Sequence, residues 1–367
     1  MTRRRFIKKI LSWGKMLAIS NLLSSSVGLN ISRSAEKGGR MTAKWQGLSL
    51  KEMALKKIHH EGDHFRSPFI DTVPGSIWPV LKWKLFAKNH FKTQYGKEQR
   101  KPVSIDWEPV KRGKGLSVTF LNHASVMIKD VDTYILVDPV FFGLNYFIKD
   151  FTPLSDAVKE MPRPDHVLIT HGHYDHLDKP TLASFKKNTH LISPLGYNDI
   201  FDDLSMKNRT HLDWFEPFQQ GKREITLLPC QHWTMRNPIT GPNRSLWGSY
   251  LIKTVSGPTI YVSGDTAYFK GFREIGKEFS IDLAIFNLSA YAPRWFMKNQ
   301  HINPAETVRA FKELGAKHLI IVHWGTFRLG NDPVYLPPIE LRRELETAGL
   351  ADRYIPLNHG ETCFYRS

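Results

Sequence analysis

The chain has 367 residues, 41% of them hydrophobic, and a formal charge of +16, which is enough apolar material for one large domain or two small ones. Its cysteines, Cys230 and Cys363, are too few for a disulfide framework, and both lie in apolar runs where buried thiols are expected. The positive excess favours anionic partners such as phospholipid surfaces; nucleic acid is the runner-up, but no recognised nucleic-acid motif is present and no nucleic-acid partner is expected.

Much of that charge lies at the start of the chain. Arg3, Arg4, Arg5, Lys8, Lys9, Lys15, Arg33, Lys37 and Arg40 face a single acid, Glu36, and hold about half of the excess. Thr2-Arg3-Arg4-Arg5-Phe6-Ile7-Lys8 resembles a twin-arginine export signal. The stretch from Ile10 to Ile31 behind it is moderately apolar, Ser-rich and interrupted by Lys15, too polar for a transmembrane helix. Residues 1–40 are therefore expected to be an export signal, with Ser34-Ala35 as the candidate cleavage point and cleavage itself left open, that makes the protein periplasmic or membrane-associated. A membrane-tethering helix is the alternative, as is a cytosolic basic tail that leaves the protein at the cytoplasmic face of the membrane.

Residues 41–114 carry no catalytic motif and form a lead-in expected to pack on the main domain. Leu48 to His60 reads as a basic helix. Ser76 to Lys88 is aromatic and cationic, and Lys84, Lys88 and Lys92 share one helical face by their i, i+4, i+8 spacing. A lipid-facing amphipathic helix would look like this, and so would a helix packed on the main domain with a solvated lysine edge.

Residues 115–367 hold the chemistry. Ser117–Leu121, Val126–Ile128 and Thr133–Val137 read as strands, the first two flanking the turn Asn122-His123-Ala124-Ser125. Asp138 ends the third strand. A buried carboxylate there needs partners, so Asp138 is expected to accept a hydrogen bond near the next loop and orient an imidazole; capping a turn is the plainer alternative. His123 is expected either to line a pocket or to be a satisfied core histidine.

Asp165-His166-Val167-Leu168-Ile169-Thr170 reads as a buried strand that runs into His171-Gly172-His173-Tyr174-Asp175-His176. Histidines two apart in an extended loop project to one side, and Asp175 and His176 can face a second point close by. One ion could not use all four side chains comfortably, whereas two ions about 3.5–4 Å apart could. Gly172 is expected to let the backbone approach the metals closely. Solvated surface histidines are the bland alternative. Further on, Asp178 caps a helix opening at Lys179-Pro180, and His190 to Pro194 reads as a strand. Asn303-Pro304-Ala305-Glu306 opens a helix that runs to Gly315. A last helix spans about Ile339 to Ala348, with Gly349 closing it.

His171-x-His173-x-Asp175-His176 resembles the signature of the metallo-β-lactamase fold superfamily. That resemblance implies later ligands at strand ends, and the chain supplies His232 after Glu224–Pro229, Asp265 after Pro258–Val262, and His323 after His318–Val322. Trp247-Gly248-Ser249, Tyr291-Ala292-Pro293-Arg294-Trp295-Phe296-Met297, Gln300-His301-Ile302-Asn303-Pro304 and His323-Trp324-Gly325-Thr326-Phe327 are similar to the branch containing N-acylphosphatidylethanolamine-hydrolysing phospholipase D. What the resemblance implies is an α/β, four-layer αββα sandwich with the metals at one rim between the sheets.

By the same resemblance, His171, His173, His232 and Asp265 hold one zinc ion. Asp175, His176, Asp265 and His323 hold a second, and Asp265 bridges them. The implied activity is a phospholipase D-type phosphodiesterase in which a metal-bridging hydroxide attacks an N-acylphosphatidylethanolamine-like phospholipid. Asp175 and His301 are the candidate catalytic groups, and Tyr174, His301 and His123 the candidate substrate contacts. Hydrolysis of a lactone or ester on the same ligands, and a non-catalytic metal-binding envelope protein, are the competing readings. Iron or manganese accepts the same donors. A phospholipid substrate and a membrane surface are the expected partners; the oligomeric state stays open, with a homodimer among the options.

Overall fold

A computed structural model describes residues 47–69, 88–144, 148–154, 157–237 and 239–366. The leader, residues 1–40, and nearly all of the aromatic stretch 76–88 lie outside the described residues.

A two-residue hairpin, β1 (His60–Glu61) and β2 (His64–Phe65), precedes the main body. The first sheet follows with β3 (Leu116–Asn122), β4 (Ser125–Asp130), β5 (Thr133–Val137), β6 (His166–Leu168), β7 (His190–Pro194) and β8 (Arg209–Leu212). The second has β9 (Pro217–Gln220), β10 (Arg223–Leu228), β11 (Ser249–Lys253), β12 (Thr259–Val262), β13 (Leu283–Asn287) and β14 (His318–Val322). The last strand, β15 (Thr362–Tyr365), returns to the edge of the first sheet beside β3. Each sheet is antiparallel over one half and parallel over the other: β5 to β8 run parallel in the first, β12 to β14 in the second.

The period-two alternation of the strands separates two cores. In the first sheet Val126, Ile128, Ile135, Val137, Leu168 and Ile192 join a cluster with Ile225, Leu227, Ile252, Ile260 and Ile285 of the second sheet. Their neighbours Met127, Leu136, Val167, Ile169 and Leu191 point the other way, into a cluster with Trp107, Val110, Leu182 and Phe201. Those last four belong to, or directly precede, helices α2 (Glu108–Arg112), α3 (Lys179–Ser184) and α4 (Asn198–Asp203). Strands buried on both faces read as continuous apolar runs rather than alternating ones. On the far side of the second sheet Tyr261 and Phe286 meet Phe272 of α5 (Gly271–Glu278), with ring centroids 6.5 and 5.7 Å apart. The architecture is a metallo-β-lactamase-type α/β sandwich, as expected.

Helix ends follow their sequence signals. Asn303 and Glu306 form a reciprocal capping box at the start of α7 (Pro304–Leu314), and Gly315 ends it at φ 65°. Asp178 accepts from the Thr181 amide at the start of α3, and α8 (Pro337–Thr347) opens on two prolines. The helix expected over Leu48–His60 is shorter, α1 (Leu50–Leu55), because Lys57 turns left-handed at φ 50° and leads into the hairpin. Cys230 is buried as expected, whereas Cys363 is only half-buried because it sits on the edge strand; neither is paired. Among the described residues no helix is long and apolar enough to cross a membrane.

Candidate metal centre

One rim of the sandwich receives the carboxyl ends of strands from both sheets. His171 follows β6, Asp138 follows β5, His232 follows β10, Asp265 follows β12, and His323 follows β14; His123 occupies the tight β3–β4 turn. Strand ends in α/β folds are a usual place for ligands, because a rigid sheet sets the position of each loop. The backbone is strained here: His123, Asp138 and His323 all have positive φ, at 42°, 41° and 74°, each costing about 1–3 kcal/mol. Gly172 is needed here for close packing: a Cβ there would lie 2.8 Å from Thr234 Oγ1 and 3.0 Å from the Tyr197 ring.

Two groups of donor atoms result. In the first, His171 Nε2 lies 2.9 Å and His232 Nε2 3.3 Å from His173 Nδ1. In the second, His176 Nε2 lies 3.2 Å from His323 Nε2 and 3.5 Å from Asp175 Oδ2. The Asp265 carboxylate stands between them. Its Oδ2 is 3.3 Å from His176 Nε2, 3.8 Å from His232 Nε2 and 4.0 Å from His171 Nε2, while its Oδ1 is 3.2 Å from His323 Nε2.

Outer partners fix which ring nitrogen carries the proton. Asp138 accepts from the Thr170 amide at 2.7 Å, from Thr170 Oγ1 at 2.5 Å and from His176 Nδ1 at 2.8 Å. Thr170 Oγ1, having donated to Asp138, can only accept from His171 Nδ1, at 3.0 Å. The Gln300 carbonyl accepts from His232 Nδ1 at 2.9 Å. Nε2 of His171 and His232 is therefore left as a lone pair, and both lone pairs aim into the rim.

Electrostatics match this donor set. Burial, reinforced by the neighbouring imidazoles, holds His171 and His232 well below the usual histidine range, and burial takes His173 down to about 4. Burial opposes charge on His176 too, but Asp265, Asp175 and Asp138 outweigh it and drive this imidazole well up. Burial would also raise Asp175 and Asp265, yet His176 and the other histidines hold both far down. Neutral imidazoles converge on ionised carboxylates, and the pocket draws positive charge, which a metal cation can provide in place of a proton. His123-Asp175-His176-His323 and His171-His173-His232 are each close enough to hold an ion.

The remaining expected site residues sit around this centre. His301 Nδ1 is 3.8 Å from Asp265 Oδ2, and burial lowers its pKa to about 4. Of the two readings of His123, pocket lining and core histidine, the buried position fits the second and not a substrate contact: its Nε2 lies 3.0 Å from Asp175 Oδ2, and its carbonyl accepts from the His323 amide at 2.6 Å. Tyr174 is 57% exposed on the outside of the ligand loop. Its hydroxyl donates to the Arg236 carbonyl at 2.7 Å, and the Arg236 guanidinium stacks over its ring at 4.1 Å. Sequence reasoning missed Thr170, Arg236, Gln300 and Asn287. Arg236 braces the ligand loop by donating to the Leu177 carbonyl at 2.6 Å. Asn287 Nδ2 donates to Asp265 Oδ1 at 2.9 Å, and its place at the end of the apolar run Leu283–Phe286 was a usable signal.

Two mixed sheets under helices, with histidines and carboxylates gathered at one rim, define a protein of the metallo-β-lactamase fold. The model of the β-lactamase superfamily domain matches residues 133–324. The mitochondrial N-acyl-phosphatidylethanolamine-hydrolyzing phospholipase D of Saccharomyces cerevisiae is 34% identical over 244 residues, 63% of this chain and 52% of that protein. N-acyl-phosphatidylethanolamine-hydrolyzing phospholipase D 1 of Caenorhabditis elegans is 32% identical over 253 residues, 64% of this chain and 70% of that one. Among solved structures, the metallo hydrolase Igni18 of Ignicoccus hospitalis aligns with a TM-score of 0.52 at 20% identity, over 69% of this chain and 99% of its own. The chain belongs to the β-lactamase superfamily, in the branch that resembles N-acylphosphatidylethanolamine-hydrolysing phospholipase D. It spans about half the length of the yeast relative.

Proposed function

We propose that this metal-dependent hydrolase is a two-zinc phosphodiesterase of phospholipase D type that releases N-acylethanolamine and phosphatidic acid from N-acylphosphatidylethanolamine-like lipids. The two-ion part rests on one observation: the Asp265 carboxylate comes within 3.2 Å of His323 Nε2 and 3.8 Å of His232 Nε2, and so reaches both donor groups. His171, His173, His232 and Asp265 would hold one ion, and Asp175, His176, Asp265 and His323 the other. Two ions so held would supply Lewis acidity and a water of lowered pKa. The chain's own contribution is placement. Asp138 orients His176, the Gln300 carbonyl orients His232, and His123 holds Asp175. His301, with 15% of its side chain exposed beside Asp265, is positioned to contact substrate. Half-exposed Trp295, on α6 (Arg294–Met297), is positioned to meet an acyl chain.

The lipid part is supported by the yeast and worm relatives, which are named for hydrolysing this lipid class. The positive excess that remains outside residues 1–40, about half of the +16, suits an anionic membrane surface, and the twin-arginine-like leader supports export. The test is to assay the zinc-loaded protein on N-acylphosphatidylethanolamine vesicles and, in parallel, on lactones and carboxylic esters. Release of N-acylethanolamine and phosphatidic acid is expected. Turnover confined to lactones or esters would eliminate the phosphodiesterase, and metal analysis of the active protein distinguishes zinc from iron or manganese.

A further inference from the structure

We infer that Asn287 is a positioning residue that commits one oxygen of Asp265 and thereby leaves the other to span the two ions; this rests on the two-ion centre proposed above. Asn287 is the last residue of β13 and pairs with Val322, immediately before His323. Its backbone amide donates to Ser263 Oγ at 3.0 Å, which ties the end of β13 to the β12 end that carries Asp265. Its side chain then reaches across, and Nδ2 donates to Asp265 Oδ1 at 2.9 Å in a buried setting. Among the described residues Asp265 Oδ2 accepts from no amide, and the nearest imidazole nitrogen to it is His176 Nε2 at 3.3 Å. Oδ1 also stands 3.2 Å from His323 Nε2, whereas Oδ2 is the oxygen near donors of both groups, His176 on one side and His232 and His171 on the other.

A carboxylate on its terminal torsion has two nearly equivalent faces and a broad range of orientations. One committed donor removes that degeneracy. An amide is well suited to this: it donates a directed hydrogen bond and adds no charge, whereas a lysine or arginine in the same place would repel a cation. Hydrogen bonds to the outer side of a ligand are commonly worth about 10–100-fold in metal affinity. Loss of the Asn287 amide should therefore loosen the bridge and lower the occupancy of one ion while leaving the fold intact.

The experiment uses the full chain, stripped of metal by a chelator and titrated with Co(II), as wild type, Asn287→Leu and Asn287→Ser. Wild type is expected to take up two Co(II) per chain, with magnetic coupling visible between them. Both variants should bind the weaker ion at least about tenfold less tightly and lose the coupling, with metal-free melting curves close to that of wild type. The serine variant guards against a clash from leucine. Two tightly bound, coupled ions in both variants would overturn the inference, and so would failure of both to fold, since the amide would then serve folding. A wild type that accepts a single ion per chain would refute the two-ion centre itself, and this inference with it.

Discussion

Two clusters in this protein are built from the same side-chain types and differ in their hydrogens. Away from the rim, Asp213 accepts from His59 Nε2 at 2.6 Å and the Trp214 amide at 2.7 Å on one oxygen. On the other it accepts from Lys57 Nζ at 2.6 Å and His60 Nε2 at 2.8 Å. Each of these contacts has a donor on one side and an acceptor on the other, and an ammonium group already stands where a cation would go. At the rim, by contrast, lone pairs of His171 and His232 aim at the region that Asp265 Oδ2 faces, and Asp265 has one neutral donor, Asn287. His59, His60 and Asp213 also lie close enough together to hold an ion. Proximity of histidine to carboxylate therefore does not distinguish a metal centre from an anchor; the balance of donors and lone pairs does.

The sharpest way to break this contrast is Asp265→Ala. The rim would lose the carboxylate shared by both donor groups, and kcat/KM should fall by at least about a thousandfold, near 4 kcal/mol of barrier. Metal content should fall with it, while the spectroscopic signature of the fold stays. Full activity in this variant would remove the rim as the site of chemistry.

Asp213→Ala should act in the opposite way. It strips a buried carboxylate from His59 and Lys57 and leaves a buried imidazole without its partner, which should lower unfolding free energy by about 3 kcal/mol. The activity of the folded fraction and its metal content should stay near wild type. Burial raises the Asp213 pKa, but His59 and Lys57 more than reverse this and hold it well below the ordinary value. Its contribution is therefore present above the unfolded pKa, about 3.9, and is lost as pH falls below it. Denaturant melts should show the gap between variant and wild type closing in acid. A gap that persists there, or a variant that loses metal, would mean that the two clusters are not separate in kind.

Much of this contrast was legible in the sequence on one side only. The rim announces itself because its ligands are strand-ending polar residues after strong apolar runs, such as Asp265 after Thr259–Val262 and His323 after His318–Val322. The His171–His176 spacing adds a local motif that no tertiary contact need supply. Asp213 carries no such signal: it ends an unremarkable strand, and its partners Lys57, His59 and His60 lie over 150 residues earlier. The same limit hid Arg236, which serves the ligand loop from a separate irregular segment. It also left His123 undecided between pocket lining and core, which the assembled structure resolves by burying it against Asp175. Strand and helix existence follow local pattern; partners far apart in sequence follow packing, which only the assembled sandwich reveals.

The gentlest comparison concerns two buried aspartates of opposite pH sign. Asp332 accepts from the Ala290 and Ala292 amides at 2.9 and 3.0 Å, without a cationic partner among the hydrogen bonds and ion pairs of the described residues. Burial pushes its pKa up to about 6. A folded pKa raised above the unfolded value favours the protonated fold, so this stability is fully present below about 3.9 and is lost as pH rises through about 6. The loss should be at most about 3 kcal/mol, since the two values differ by about two pKa units and one unit corresponds to about 1.4 kcal/mol. Asp332→Asn, which cannot ionise, should flatten the pH dependence of unfolding free energy between pH 4 and 7 relative to wild type. An unchanged slope would show that the two backbone amides already stabilise the carboxylate, and that hydrogen bonding alone suffices where Asp213 uses lysine and histidine.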